Sequence, residues 1–561
     1  MTDASPSALT VARGVRTVSV AEYLARRLHE AGIDHLFGVP GDFNLTLLDG
    51  IAETGLLKWI GSPNELGAGY AADAYARRRG LAALVTTYGV GELSCLNAVA
   101  GSAAENVPVL QITGAPRTTA AAARALVHHT LADGDFSRFE RAFAEVTVAQ
   151  EVLTPEHAAA QIDAVIGTVV AAKKPGYLSI PADLADARID AEPLRTPLLP
   201  ARADAFDTAA FEGAARRLLA TAQRPVMVVG HIAARFRLAP GITALAEAGA
   251  IPVVVLPSAK GHIDETHPLY AGVYAGTLID QATADLVESA DAVIHLGVVM
   301  SDVLSGLFTH RPFDAVSIKV DAEEAGVGDE TFGLIPFPEA LRALRRAVDG
   351  TSTTLARSFA RKPDVPLSPV AGAPLDQAGF WSAMQRWLPA GTTLLADIGT
   401  SYWGALSLTL PPGTELVGQP IWNSIGYALP ATLGQGLADR TRRPVLVTGD
   451  GAAQMTIQEI GTIAAQGLSP VMILLNNAGY TIERAIQSPD APYNDIAPWD
   501  WCALVTALTA GSASTFRVGT PAELEEALAA AESQPATLTF IDVVLDRHDA
   551  PPLLRALTER S

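Results

Sequence analysis

Short apolar runs of strand length alternate with amphipathic stretches of helical period almost throughout this chain, which leaves few folds open. Ser19 is placed to cap a helix carrying Val20, Leu24 and Leu28 on one face, and the strand-like HLFGVPG follows. A helix after Asn64, a strand at Ala82–Thr87, a helix after Glu92 and a strand at Val109–Thr113 continue the pattern. Such traffic implies parallel sheets covered on both faces by helices. At 561 residues the chain is too long for a single core. Two Pro-rich stretches, Ala187–Phe206 and Val348–Leu375, read as linkers. They leave three α/β domains, expected at residues 16–190, 206–350 and 374–550. The middle block has strand signals at Val226–Gly230, Val253–Leu256 and Ala292–Leu296; the last has them at Val445–Thr448 and Val471–Leu475.

Charge narrows the partners. The formal net charge is −20 and Lys and Arg form no run, so nucleic acid and anionic membrane would be repelled over most of the surface. A small anionic substrate stays open, because a local field can oppose the net charge. The two cysteines, Cys95 and Cys502, make no CxxC, which argues against a disulfide framework or zinc ribbon. The first residues lack a basic stretch followed by an apolar one, and no apolar run approaches bilayer length. A cytoplasmic location is the expectation.

The strongest local signal runs from Gly449 to Asn477. RPVLVTGDGAAQ passes from an apolar strand into a Gly-Asp-Gly turn, with Thr456-x-x-Glu459 matching a capping box at the start of the next helix. The following strand, PVMILL, ends in Asn476-Asn477-Ala478-Gly479-Tyr480. A right-handed crossover puts both turns at the carboxyl ends of neighbouring strands, where open α/β sheets bind ligands. Asp450, the Asn477 side-chain oxygen and a nearby backbone carbonyl suit a hard ion such as Mg²⁺ with diphosphate oxygens. Glycines let the backbone approach phosphates. Taken singly, GDG and NN are ordinary turn residues; 24 residues separate Gly451 from Asn476 with both at strand ends, and that context favours the functional reading.

GDG followed by NN at this spacing resembles the signature of thiamine-diphosphate enzymes. The chain as a whole is similar to the pyruvate and indolepyruvate decarboxylase family, including the branched-chain 2-oxo acid decarboxylases, through FGVPGDFNL, NELGAGYAADAYAR, VHHTLADGDF, ADIGTS, GQPIWNSIGYALPA, GDGAAQMTIQEI and NNAGYTIERAI with YNDI. The resemblance implies three consecutive doubly wound parallel-sheet domains: pyrimidine-binding, middle and diphosphate-binding. It implies a metal held by Asp450, Asn477 and Gly479. It implies cofactor contacts from Glu65, Thr400, Ser401, Asn423, Ile425, Gly449, Asp450, Gly451, Ala452, Asn477, Gly479, Tyr480 and Ile482. Asn423 is a departure, since the family usually has Gly before Ser-Ile-Gly.

The resemblance also implies chemistry. Glu65 matches the glutamate that hydrogen-bonds the aminopyrimidine, and Ile425 matches the aliphatic wedge that bends the cofactor so that its amino group lies beside C2. Asp42, His128, His129 and Glu483 match the proton-transfer and substrate-positioning residues. On their own, Glu65 and Glu483 read equally as helix glutamates, Ile425 as core and the His pair as solvated. Within the family these residues imply non-oxidative decarboxylation of a 2-oxo acid to an aldehyde, through an ylide and an enamine that a weakly polar pocket of Ile425, Ile482 and Ile486 would favour. They also imply an obligate dimer, usually doubled to a homotetramer, in which one subunit brings Glu65 and Asp42 and another the metal anchor and Glu483.

Substrate cues conflict. Val303, Tyr402, Trp403, Ile482 and Ile486 match the side-chain pocket. Tyr402-Trp403 is bulky as in pyruvate-selective members, whereas Val303 opens space and YTIERAI looks closer to the indolepyruvate and branched-chain members. Single contacts shift selectivity by only about 1–3 kcal/mol, so a broad range is expected. The middle block has no cysteine, so activation through one is not expected. Two alternatives stand beside this reading: a carboligase resembling acetolactate synthase or benzaldehyde lyase, and a non-catalytic paralogue. An FAD-binding middle domain is likewise open.

Overall fold

A computed structural model describes residues 17–198, 206–310, 316–349, 359 and 373–559. Three sheets are strung along the chain, each flanked by helices. The first has six parallel strands: His35–Gly38, Lys58–Gly61, Ala82–Thr87, Val109–Ala115, Gln150–Val152 and Gly176–Pro181. Numbered along the chain, their spatial order is second, first, third, fourth, sixth, fifth. The last sheet repeats that order with Thr393–Ala396, Glu415–Val417, Pro444–Gly449, Val471–Asn476, Ser514–Val518 and Thr539–Val544. Its central strands are buried nearly end to end, as both-face coverage requires.

The middle sheet is wound differently. Its strands are Pro225–Val229, Val253–Val255, Tyr270–Val273, Ala292–Leu296, Ser317–Val320, Glu324–Val327 and Glu330–Leu334. The first five are parallel in the order third, second, first, fourth, fifth, so the chain reverses direction between the first and fourth strands. The last two depart from the expected all-parallel sheet: Gly328, at φ +59, turns them into an antiparallel hairpin.

The stretch Ala187–Phe206 is not a free linker in its described half. Arg188–Asp190 pairs antiparallel with Thr17–Ser19, and buried Arg27 donates to the carbonyls of Pro193 (2.8 Å) and Thr196 (3.0 Å). Most of the second expected linker, Val348–Leu375, lies outside the described residues.

Two helices join the outer sheets. Glu65–Arg79, capped by Asn64 through Gly67 N–H (2.8 Å), packs along Ala428–Ala438, every residue of which is buried. Gly434 permits that approach: a Cβ there would lie 2.0 Å from the Ala71 carbonyl oxygen. Across this seam Tyr427 Oη donates to Asp73 (2.6 Å), and Gln435 Nε2 donates to the Ala74 carbonyl (2.6 Å). Among the described residues no helix is long and apolar enough to cross a membrane.

Candidate active site

Strands Pro444–Gly449 and Val471–Asn476 are parallel neighbours, and the turns at their carboxyl ends meet. Asp450 opens a helix, Asp450–Thr456, directly after Gly449. Its carboxylate is buried and accepts the backbone N–H groups of Gly451 (2.7 Å), Asn477 (3.1 Å) and Gly479 (3.2 Å). Burial still pushes its pKa up to about 6. Beside it Asn477 Oδ1 is buried without a hydrogen-bond partner. An acceptor left bare next to a carboxylate that is costly to ionise fits a cation, which would satisfy both.

The glycines here are compelled by contacts. A Cβ on Gly451 would lie 2.5 Å from the Tyr480 ring, and one on Gly479 (φ +134) would lie 2.0 Å from the Asn494 carbonyl oxygen. Buried Arg484 holds this loop by donating to the carbonyls of Ala478 (2.8 Å) and Asn494 (3.1 Å) and to Asp495 (2.8 Å). A cleft of about 70 Å³ results, walled by Ile398, Gly399, Thr400, Ser401, Ile425, Gly449, Asp450, Gly451, Ala452, Asn477, Gly479, Tyr480, Thr481, Ile482 and Glu483.

The loop bearing Ile425 is set by Asp397, a residue that motif reading passed over inside ADIGTS. Buried Asp397 accepts the N–H groups of Ile398 (3.1 Å), Gly426 (3.1 Å) and Ala428 (3.2 Å), and burial raises its pKa to about 7. Asn423 sits at φ +56, in the left-handed region where Asn is among the tolerated residues, which explains how the chain accommodates its departure from Gly. It does not wall the cleft. The expected capping box is also absent. Thr456 ends its helix and donates to the Gly426 carbonyl (2.8 Å), while Glu459 begins a separate helix, Glu459–Ala465. The pattern failed because the first helix starts at Asp450, on the strand's last turn.

A second group assembles on the N-terminal sheet. His128 Nε2 is 2.7 Å from Asp42 Oδ2, and ligand atoms of Asp42, His128 and His129 all lie within 4.8 Å of one another. Phe43 holds both imidazoles, stacking on His128 (4.9 Å) and meeting His129 edge-on (5.9 Å). Buried Asn44 fixes that turn through Gly41 N–H (2.9 Å) and the Val39 carbonyl (3.2 Å). Gly89 admits the His129 carbonyl, 2.0 Å from where its Cβ would be. Glu65 starts its helix beside Gly91, whose Cβ would lie 3.1 Å from Glu65 Oε1.

The two groups stay apart within one chain: Asp42, Glu65, His128 and His129 do not wall the cleft, whereas Glu483 does. Nor does the cleft gather the side-chain pocket positions. Ile482 lines it, but Val303 and Trp403 pack in the C-terminal core, and Ile486 is half exposed at a helix end. Tyr402 points the other way, its hydroxyl donating to the Pro257 carbonyl of the middle domain (3.0 Å).

Comparison with known proteins identifies the family. Residues 18–137, 213–337 and 397–543 match, in turn, the families described as thiamine pyrophosphate enzyme N-terminal TPP binding domain, central domain and C-terminal TPP binding domain. The chain is 42% identical over 551 residues to an alpha-keto-acid decarboxylase of Mycobacterium leprae (strain TN), covering 96% of this chain and 95% of the relative. It is 41% identical over 548 residues to one of Mycobacterium tuberculosis (strain ATCC 25618 / H37Rv), covering 96% of each. The fold also resembles a solved thiamine diphosphate-dependent 4-hydroxybenzoylformate decarboxylase of Rhodococcus jostii RHA1, with TM-score 0.77, 21% identity, and coverage of 94% of this chain and 99% of that one.

Proposed function

Since the chain belongs to the thiamine-pyrophosphate-dependent 2-oxo acid decarboxylases, we propose that it converts a broad range of 2-oxo acids, aliphatic to aromatic, to aldehydes. The cofactor, when bound, supplies the electron sink on which CO₂ is lost. The chain's own side chains must hold it, exclude water and move protons. One observation carries the assignment of the anchor: the bare, buried Asn477 Oδ1 beside buried Asp450 in a glycine-walled cleft.

In this reading Asp450, Asn477 and the Gly479 carbonyl hold Mg²⁺. Thr400, Ser401, Gly449, Gly451, Ala452 and Tyr480 receive the diphosphate end, and Ile425 and Ile482 give the reacting end an apolar wall. Asn423 offers its backbone carbonyl to the amino group. Glu65 holds the proton at the aminopyrimidine nitrogen, Glu483 orients the substrate carboxylate, and Asp42 with His128 and His129 delivers a proton to the product carbon. Val303, Trp403 and Ile486 are proposed to set the side-chain range.

This division needs two copies of the chain. Large apolar side chains stand exposed near both halves: Leu45, Val90, Leu93, Leu126 and Leu131 on the N-terminal domain, and Met455, Ile486, Tyr493 and Trp499 on the C-terminal one. Mixing tests it. Glu65→Gln and Asp450→Asn chains are each inactive; after co-refolding, mixed dimers regain one intact site, giving about a quarter of native activity. No recovery would mean that each site is built within one chain.

Turnover of pyruvate, 2-oxoisovalerate, phenylpyruvate and indolepyruvate with thiamine diphosphate and Mg²⁺ measures the range. Preference for one acid by more than about 10³-fold exceeds what side-chain contacts of this kind give and would overturn the broad reading.

A further inference from the structure

One buried carboxyl of the N-terminal domain has no part in the roles above. Glu92 is the third residue of the helix Val90–Ala104 and exposes nothing to solvent. Its Oε1 accepts the backbone N–H of Gly89 (2.7 Å), half of a capping box. Its Oε2 accepts the hydroxyls of Tyr177 (2.8 Å) and Thr113 (3.3 Å). None of these partners is a cation, and burial lifts the pKa of Glu92 to about 7 although all three bonds favour the charged form. Gln111 braces Thr113 in turn, donating to its hydroxyl (3.1 Å) and to that of Thr86 (2.8 Å). Two neighbouring strands, Val109–Ala115 and Gly176–Pro181, thus fix the carboxyl, and the carboxyl fixes Gly89.

The turn Tyr88–Gly91 lies between the loop of His129 and Glu65. Gly89 stands at φ +64, and the space a Cβ would need is taken by the His129 carbonyl oxygen, 2.0 Å away. His129 is itself at φ +60, so its backbone is strained as well as closely seated. One residue before Gly89, Tyr88 Oη donates to the Phe136 carbonyl (2.8 Å) and its ring packs on Phe139 (5.1 Å). Two residues after it, a Cβ on Gly91 would lie 3.1 Å from Glu65 Oε1. A shift of this turn would therefore move His129 and Glu65 relative to each other.

We propose, on the roles given above to Glu65 and His129, that Glu92 is a positioning residue: by holding Gly89 N–H it sets the turn Tyr88–Gly91, and through that turn the placing of His129 against Glu65.

Carbethoxylation of the cofactor-free chain by diethyl pyrocarbonate, read by mass spectrometry, reports the placing of His129 without turnover, with exposed His157 as internal standard. Glu92→Ala leaves Gly89 N–H bare, and His129 should label about fivefold faster or more, the shift in local opening that one lost buried hydrogen bond brings. Glu92→Gln should label at the native rate, because its amide oxygen still accepts from Gly89 while the two hydroxyls turn to accept from its amide nitrogen. With thiamine diphosphate and Mg²⁺ bound, Glu92→Ala should lose about 10- to 100-fold in kcat, with KM and cofactor affinity close to native, and Glu92→Gln should recover it. Glu92→Asp, a methylene shorter, replaces Glu92→Ala if that variant does not fold. A merely structural role would lower the thermal midpoint and leave the labelling ratio and kcat at native values; that result, or no rescue by Glu92→Gln, overturns the proposal. His129→Gln with native turnover would overturn the role given to His129 instead, and the labelling would still decide that of Glu92.

Discussion

Glu459 is fully buried, and burial, outweighing contacts from Thr462 and Ser62, pushes its pKa up to about 7 from the ordinary 4.5. The native state therefore holds a proton that the unfolded chain releases between pH 4.5 and 7. Stability contributed by that proton is complete below the lower value and is lost as pH rises through the upper one. Glu459→Gln should match wild type in thermal midpoint near pH 4.5 and exceed it above pH 7, by an amount equivalent to roughly 3 kcal/mol, as scans across pH would record. Asp397 makes a different prediction. Asp397→Asn replaces one acceptor oxygen with a donor facing N–H groups that now point at a carboxylate. It should loosen the Ile425 loop and weaken thiamine diphosphate binding about tenfold or more, with Asp450 intact. What the sequence disclosed at this scale followed from locality. Asp450 and Asn477 end adjacent strands, so their meeting is written in two short turns. The direction of Tyr402 was not legible, because only packing against Pro257 decides which way a helical side chain leaves its helix. Asp397 and Arg484 act through backbone groups, which leave little mark in a motif.

Helices and strands were legible wherever apolar period and caps agreed: Ser19 caps as read, accepting an N–H group at 3.0 Å, and the helix read after Asn64 is there, with Asn64 accepting an N–H group at 2.8 Å. Pairing between distant helices was not legible, because the helix Ala428–Ala438 is buried on all sides and so shows no polar face to betray its partner. Gly434 is the contact on which that pair turns. Gly434→Ala would gain about 1 kcal/mol of helix propensity. A Cβ 2.0 Å from a backbone oxygen forces the helices apart, at a cost of about 1–3 kcal/mol, so overpacking wins. The expected result is a lower thermal midpoint, together with weaker cofactor binding, because the helix Glu65–Arg79 begins at Glu65.

The whole molecule repeats one strand order at both ends of the chain and inserts a differently wound sheet between them. Alternation of strands and helices announced the class; the antiparallel hairpin that ends the middle sheet had no comparable signal. Leu93, 41% exposed, follows two residues after Gly91, which approaches Glu65. On the proposed two-chain assembly, Leu93→Glu should give a folded chain that sediments as a monomer and lacks turnover, since a carboxylate in the proposed subunit contact would go unpaired. The seam between the outer sheets also has a history in time. Gln435 and Ala74, hydrogen-bonded across it, are 361 residues apart. At ribosomal speeds of about 5–20 residues per second, the alanine-lined flank of Glu65–Arg79 waits roughly 20–70 s for its cover to emerge. Throughout that interval the nascent chain carries an apolar face without its cover, the kind of surface that makes incomplete chains prone to aggregate.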